Sequence, residues 1–433
     1  MENILGSFNL IVVPIYCIYV MKRKSLSVFL NPCFYLVFFA YLYLTLPSTV
    51  LPEYYLNNYL GLSRDSIQTT NLLCNWYTFI FLLFFAFSKN YSLPNLSFKP
   101  RKKTYQISLV FTAVLSLVFL GLLIKYGPML LQSEDRVDAI AQFVELVYDP
   151  YKVRVLLNVF IASVTVLVWR SKNVIWYALL LLPIMLEMTS NGRAISIVCI
   201  LFIYVNQLLI SRRTYLWLFG AGLGGLFLST IVRRFELSWQ ESLLEFVRVF
   251  NEFINTRASA TVVYQYFNHD GDLLPYLLAS VLNILPNSLS EFLLGEEVYA
   301  NLDYVKIIGD ANFSKLGYGL AGNMIGESLY YGGITFAIIS PFIIGGTYFF
   351  INKLRIYKTF PGLIFMIFTI TAIPNAMRQS FYQTFLSSTY LMFSYLGWLT
   401  YLEYGRSVVG KKQRLIYQKV YQFEPYEITE KLD

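Results

Sequence analysis

The chain has 433 residues, of which 56% are hydrophobic and only 14% charged, too little polar surface to cover a soluble domain of this size. Its net charge of +8 is split into short clusters between apolar runs, a distribution that argues against nucleic acid as a partner. The four cysteines, Cys17, Cys33, Cys74 and Cys199, stand singly inside apolar runs with no C-x-x-C spacing, which speaks against a disulfide framework or a zinc site.

Hydropathy predicts an all-α polytopic membrane protein with about eleven transmembrane helices, within a range of about ten to twelve. They fall near 4–21, 29–46, 71–88, 105–124, 153–169, 174–189, 194–210, 215–232, 334–351, 360–376 and 384–402. The first run, "ILGSFNLIVVPIYCIYVM", precedes its basic cluster instead of following it, so it is expected to be a retained span and not a cleaved signal. The clusters "KRK" (22–24), "KPRKK" (99–103), "RSK" (170–172), "RR" (212–213), "KLRIYK" (353–358) and "GKKQR" (410–414) occupy alternate connections. The positive-inside rule makes those connections cytoplasmic, with the N-terminus outside and the C-terminus inside. Four regions result: residues 1–232 with eight spans, a large and partly helical outer loop over 233–333, three spans over 334–402, and a basic tail over 403–433.

A loop as long as 233–333 points to function, because long connections without one are uncommon. Its stretch "WQESLLEFVRVFNEFINTRASATVVYQYF" (239–267) lacks Gly and Pro and is expected to be helical. Leu243, Val247, Phe250, Phe253 and Ile254 share one face, with Glu241, Glu245, Arg248 and Glu252 opposite. Arg257 falls in the middle of the apolar face, where it either snorkels outward or meets an anion in a cavity.

Other outer-side arginines join it. Arg193 in "MTSNGRAISI" opens the seventh span after an Asn-Gly turn, Arg233 and Arg234 close the eighth, and Arg378 in "IPNAMRQSF" follows the tenth. Guanidinium forks match phosphate oxygens and keep their charge, so as a set these residues form a candidate anion clamp. Singly, each serves an interfacial role just as well.

The glycine-dense stretch "GYGLAGNMIGESLYYGGITFAII" (317–339) carries Glu327 among apolar neighbours. It is expected either to pair with an outer arginine or to act as a general base. His269, the only histidine, lies in the turn "YFNHDGDLLPY" and is a second, weaker candidate base. Asp270 and Asp272 do not complete a calcium loop, and no Walker, H-E-x-x-H or G-x-S-x-G motif occurs. No metal and no cofactor are expected.

The order "SNGRA", then "RASATVVYQYF", "LPYLLASVLNILPNSL" and "GNMIGESLYYGGITF" across roughly 185–390 resembles the O-antigen and oligosaccharide repeat unit polymerases of the Wzy type. The resemblance implies a membrane glycosyltransferase at the periplasmic face of a bacterial inner membrane. Its substrates would be undecaprenyl-pyrophosphate-linked oligosaccharides, with a chain-length regulator as a further partner. It implicates Arg193, Arg257 and Arg378 in gripping pyrophosphate and Glu327 or His269 in activating the acceptor hydroxyl. Trp239, Tyr264, Tyr266, Tyr276 and Tyr318 offer flat faces for sugar rings. An O-antigen ligase would share this layout, and a flippase or other transporter of lipid-linked oligosaccharides, or a bare membrane scaffold, are the other classes to separate from it.

Overall fold

The computed structural model describes residues 2–50, 61–88, 100–131, 142–148, 151, 153–189, 195, 198–200, 202–203, 251–268, 270–282, 292–293, 322–354, 360–378 and 380–382. Among the described residues the regular structure is helical throughout. The helices are α1 (Glu2–Lys24), α2 (Pro32–Ala40), α3 (Leu46–Val50), α4 (Arg64–Phe87), α5 (Lys102–Leu131), α6 (Val153–Ser171), α7 (Leu181–Met188), α8 (Asn251–Tyr266), α9 (Leu273–Leu282), α10 (Met324–Lys353) and α11 (Phe360–Arg378).

Local sequence sets where several of these begin. Asn31 caps α2, its Oδ1 accepting from Cys33 N at 3.0 Å, and Pro32 follows where no N–H is needed. Ser63 caps α4 through Ser66 N at 3.2 Å, and Asn323 caps α10 through Gly326 N at 2.6 Å. Between α2 and α3 the chain relaxes into a π turn, Tyr41–Thr45, just ahead of Pro47. The apolar run 174–189, expected as one helix, is continuously helical over Val174–Met188, beginning as a 3-10 segment (Val174–Leu180) that leads into α7. Pro183 sits in the first turn of α7, where its missing donor leaves no bond unmade.

Among the described residues five stretches are long and apolar enough to cross a membrane: Ile4–Lys22, Pro32–Thr49, Arg64–Phe87, Lys102–Leu131 and Met324–Lys353. Shorter apolar helices cover Leu156–Ser171, Val174–Met188 and Gly362–Arg378. The expected spans 215–232 and 384–402 lie outside the described residues, and 194–210 largely does. Outward-facing Ile4, Ile11, Ile15 and Ile18 of α1, with Val110, Val114, Leu117 and Ile124 of α5, give the bundle an apolar exterior. At the end of α5, Lys125 Nζ stands 4.7 Å over the Tyr126 ring, and the Tyr126 and Tyr151 hydroxyls meet at 3.1 Å. Such amphipathic side chains suit a membrane–water interface.

Helix α4 is the axis of the half that carries the candidate site. Its buried face is polar where it meets α1 and α8: Ser66, Thr70, Asn71, Asn75 and Thr78 all face inward. In a hydrocarbon setting such groups must find partners inside the protein. Asn75 Nδ2 donates to Asn71 O at 3.0 Å, and Asn9 Nδ2 of α1 donates to Asn75 O at 2.7 Å. Residues 251–266, part of the stretch 239–267 expected to be helical within an outer loop, form a helix packed along this polar face, and 239–250 lie outside the described residues. Gln265 Oε1 accepts from Ser63 N at 2.7 Å, and Thr261 Oγ1 lies 2.7 Å from Thr70 Oγ1. Helix α8 therefore runs antiparallel to the first half of α4.

Helix α10 is two helices. Gly333 has φ 62° and ψ −165°, a conformation that only glycine adopts readily, and the axis folds back there. The second piece begins at 334, where the ninth span is expected. The first piece, 324–332, continues the glycine-dense stretch as helix and lies beside its successor, so that Ser328 Oγ donates to Ser340 Oγ at 2.9 Å. The break leaves carbonyls without helical partners, and Gly271 N takes one of them, Tyr330 O, at 3.0 Å.

Candidate functional site

Arg257 of α8 does not snorkel. It is 1% exposed, and its Nη2 donates to Asn71 Oδ1 and, at 3.3 Å, to Ile67 O. Both acceptors belong to α4 and both are neutral. Asn71 lies eight residues beyond the cap Ser63, about 12 Å down the helix at 1.5 Å per residue. Ala258, Ser259, Ala260, Thr261, Val262 and Val263 are buried with it, because small side chains let α8 approach closely.

Glu327 is also 1% exposed, and its described partners are hydroxyls and backbone N–H groups, not a guanidinium. Oε1 accepts from the Tyr276 hydroxyl and from Ser380 Oγ at 2.5 Å, and Oε2 accepts from Phe381 N at 2.8 Å. The carboxylate thereby joins α9, the first piece of α10 and the segment after α11. The Tyr276 ring stacks on Tyr331 with centroids 3.7 Å apart and planes 8° from parallel. Burial, with the Glu327 carboxylate alongside, holds the Tyr276 phenol well above its ordinary value, so it stays a neutral donor.

Beside this cluster runs a chain of buried hydroxyls. Tyr77 donates to Ser328 at 3.2 Å, Ser328 to Ser340 at 2.9 Å, and Ser340 lies 3.2 Å from the Tyr382 hydroxyl. Tyr77 is fourteen residues past Ser63, about 21 Å along α4. Glu327 and its neighbours therefore sit well inside the bundle, deeper than Arg257.

Of the candidate catalytic and pyrophosphate-binding residues the structure describes Arg257, Glu327 and Arg378, and of the five aromatic residues it describes Tyr264, Tyr266 and Tyr276, Trp239 and Tyr318 lying outside the described residues. Arg378 closes α11, is half-buried, and lies two residues before Ser380, so the segment that carries it is tied to Glu327. Arg193, Arg233, Arg234 and His269 lie outside the described residues. Asp270, next to His269, is exposed at the turn that Gly271 packs against Tyr330 and Tyr331. Among the described residues no three His, Cys, Asp or Glu side chains are grouped as metal ligands would be.

Compared with known families, characterised proteins and solved structures, the chain matches none. The site is defined by its own residues.

Sequence reasoning missed several of them. Asn71, Ser328, Ser340, Ser380 and Tyr382 carry no motif and are polar residues in apolar runs, a weak signal that a buried polar network is being built. Glu187 was missed too: it is buried, and its Oε1 accepts from Ile195 N at 2.8 Å. What the arrangement offers chemically is a buried guanidinium that meets an amide and a carbonyl of α4 and, farther along α4, a carboxylate that gathers hydroxyl donors.

Proposed function

We propose that this protein is a membrane glycosyltransferase of the repeat unit polymerase type. It would join undecaprenyl-pyrophosphate-linked oligosaccharides at the periplasmic face of a bacterial inner membrane. The observation that supports the proposal is Arg257, buried on α8 and donating to Asn71 Oδ1 and Ile67 O of α4. A departing lipid pyrophosphate needs cationic stabilisation where charge develops, and a guanidinium supplies it in a low-dielectric setting. In this reading Arg193, Arg378, Arg233 and Arg234 complete the grip on donor and acceptor pyrophosphates. Glu327 takes the acceptor sugar's hydroxyl as it takes those of Tyr276 and Ser380, and serves as the general base. His269 is the alternative base. The polymerase grows its chain on the lipid carrier, with the basic tail in the cytoplasm.

A second reading is a transporter of lipid-linked oligosaccharides. It is favoured by the depth of Glu327 on a broken helix, since transporters place ionisable groups inside the membrane on interrupted helices.

A lipopolysaccharide gel of a strain lacking the gene separates these classes. The polymerase predicts core bearing a single repeat, with the ladder restored by the wild-type gene. Core with no repeat points away from it. Lipid-linked polymer accumulating outside then identifies a ligase, and lipid-linked single repeats retained inside identify a transporter.

A further inference from the structure

One end of the bundle gathers cations from two connections. Arg101 precedes α5, Lys102 and Lys103 begin it, Arg170 lies in the last turn of α6, and Lys172 follows that helix. Arg170 Nη1 donates to Pro100 O at 2.8 Å, which ties the start of α5 to the end of α6 and brings the two clusters together. Lys102, Lys103 and Lys172 are exposed. The first turn of α5 holds no acidic residue, so its lysines share the positive pole of the helix dipole, a setting that an anion relieves.

The surroundings say what kind of anion fits. Val174 and Ile175, just after Lys172, are exposed, as are Val110 and Phe111, two turns along α5 from Lys103. Lys172 Nζ stands 4.8 Å over the Trp169 ring, and Trp176 Nε1 donates to Ser171 Oγ at 3.1 Å. Tryptophans beside lysines, with aliphatic surface next to them, mark a membrane–water boundary. A free anion leaves that aliphatic surface uncovered, whereas a lipid covers it with acyl chains while its headgroup meets the cations. The contact of α5 is also thin here. Its buried residues at this end are Thr104, Ser108 and Thr112, small side chains whose hydroxyls have no hydrogen-bond partner among the described residues, and the large buried Leu115, Phe119 and Leu122 lie farther along.

We infer that the 101–103 and 170–172 clusters together form a binding site for an anionic phospholipid headgroup, and that the bound lipid fastens α5 to α6 at this end. The site serves a polymerase and a transporter equally.

The test titrates phosphatidylglycerol or phosphatidylcholine into the full chain in detergent micelles, with bound lipid read by native mass spectrometry and the thermal midpoint followed in parallel. Wild type is expected to prefer phosphatidylglycerol and to melt higher with it. Lys102→Gln, Lys103→Gln and Lys172→Gln are each expected to weaken that binding about fivefold, the worth of one charge near a membrane surface, and together about a hundredfold. Without lipid the triple variant is expected to melt with wild type, and the single variants carry the test if it melts lower. Lys125→Gln, at the opposite end of α5, is expected to bind as wild type. Equal affinity of wild type for the two lipids overturns the site. So does an undiminished preference in the single and triple variants, and so does an equal loss in Lys125→Gln, which would make the attraction one of net charge alone.

Discussion

The hydroxyls of Ser328 and Ser340 stand 2.9 Å apart although twelve residues separate them along α10. An unbroken helix would hold them about 18 Å apart. Their contact measures how sharply the chain reverses at Gly333, and it brings Glu327 beside Tyr276, Ser380 and Phe381.

The reversal depends on a backbone conformation that a Cβ opposes. Gly333→Ala is expected to destabilise the protein by about 1–3 kcal/mol, the cost of holding a non-glycine residue there. A thermal melt in detergent checks this, and an unchanged midpoint would mean that α10 is free to straighten.

The second piece of α10 lies against α4 with no space to spare at one point. A Cβ at Gly345 would overlap the Phe84 ring, whereas one at Gly346 meets Phe84 only at 3.9 Å. Gly345→Ala is expected to cost about 1–3 kcal/mol by overpacking, and Gly346→Ala far less. Adding Phe84→Leu to Gly345→Ala is expected to recover part of the loss, a coupling that two separate melts and their double variant would reveal.

Tyr276 ties stability to alkaline pH. Its phenol is held well above the ordinary value by burial and by the Glu327 carboxylate. A raised folded value means that its contribution is fully present below the unfolded value of about 10 and is lost as pH climbs beyond it. Tyr276→Phe removes a buried hydrogen bond and leaves Glu327 short of one donor, and is expected to cost about 1–3 kcal/mol near neutrality. That deficit is expected to shrink above about pH 10, where only wild type still loses stability through this group. Melting both proteins between neutral and strongly alkaline pH tests the sign, and a constant deficit would contradict it.

The sequence carried the helices well where hydropathy alone decides them and poorly where polar packing does. The span expected at 71–88 begins at Arg64, because the polar first turns of α4 are buried against α8 and hydropathy assigns them to water. The anomaly of Arg257 was legible on a helical wheel, since a guanidinium in an apolar stripe demands a partner. That partner, Asn71, is 186 residues away in the chain and bears no mark of the task. Glu327 was visible as a carboxylate among apolar neighbours, and an arginine was one expected companion. The structure gives it hydroxyls from residues 51 and 53 positions away, a choice that depends on the fold at Gly333 and not on local pattern.

The central claim is that Arg257 grips a lipid-linked anion during glycan transfer. Proteoliposomes containing the purified full chain, supplied with a lipid-linked oligosaccharide repeat, test it most directly. Wild type, Arg257→Lys and Arg257→Ala are compared at equal protein and at temperatures where all three are folded. The account predicts elongation to a ladder by wild type, a severe loss in Arg257→Ala and only partial recovery in Arg257→Lys, which keeps the charge but not the fork. A full ladder from Arg257→Ala would contradict it and return Arg257 to the packing of α8 on α4.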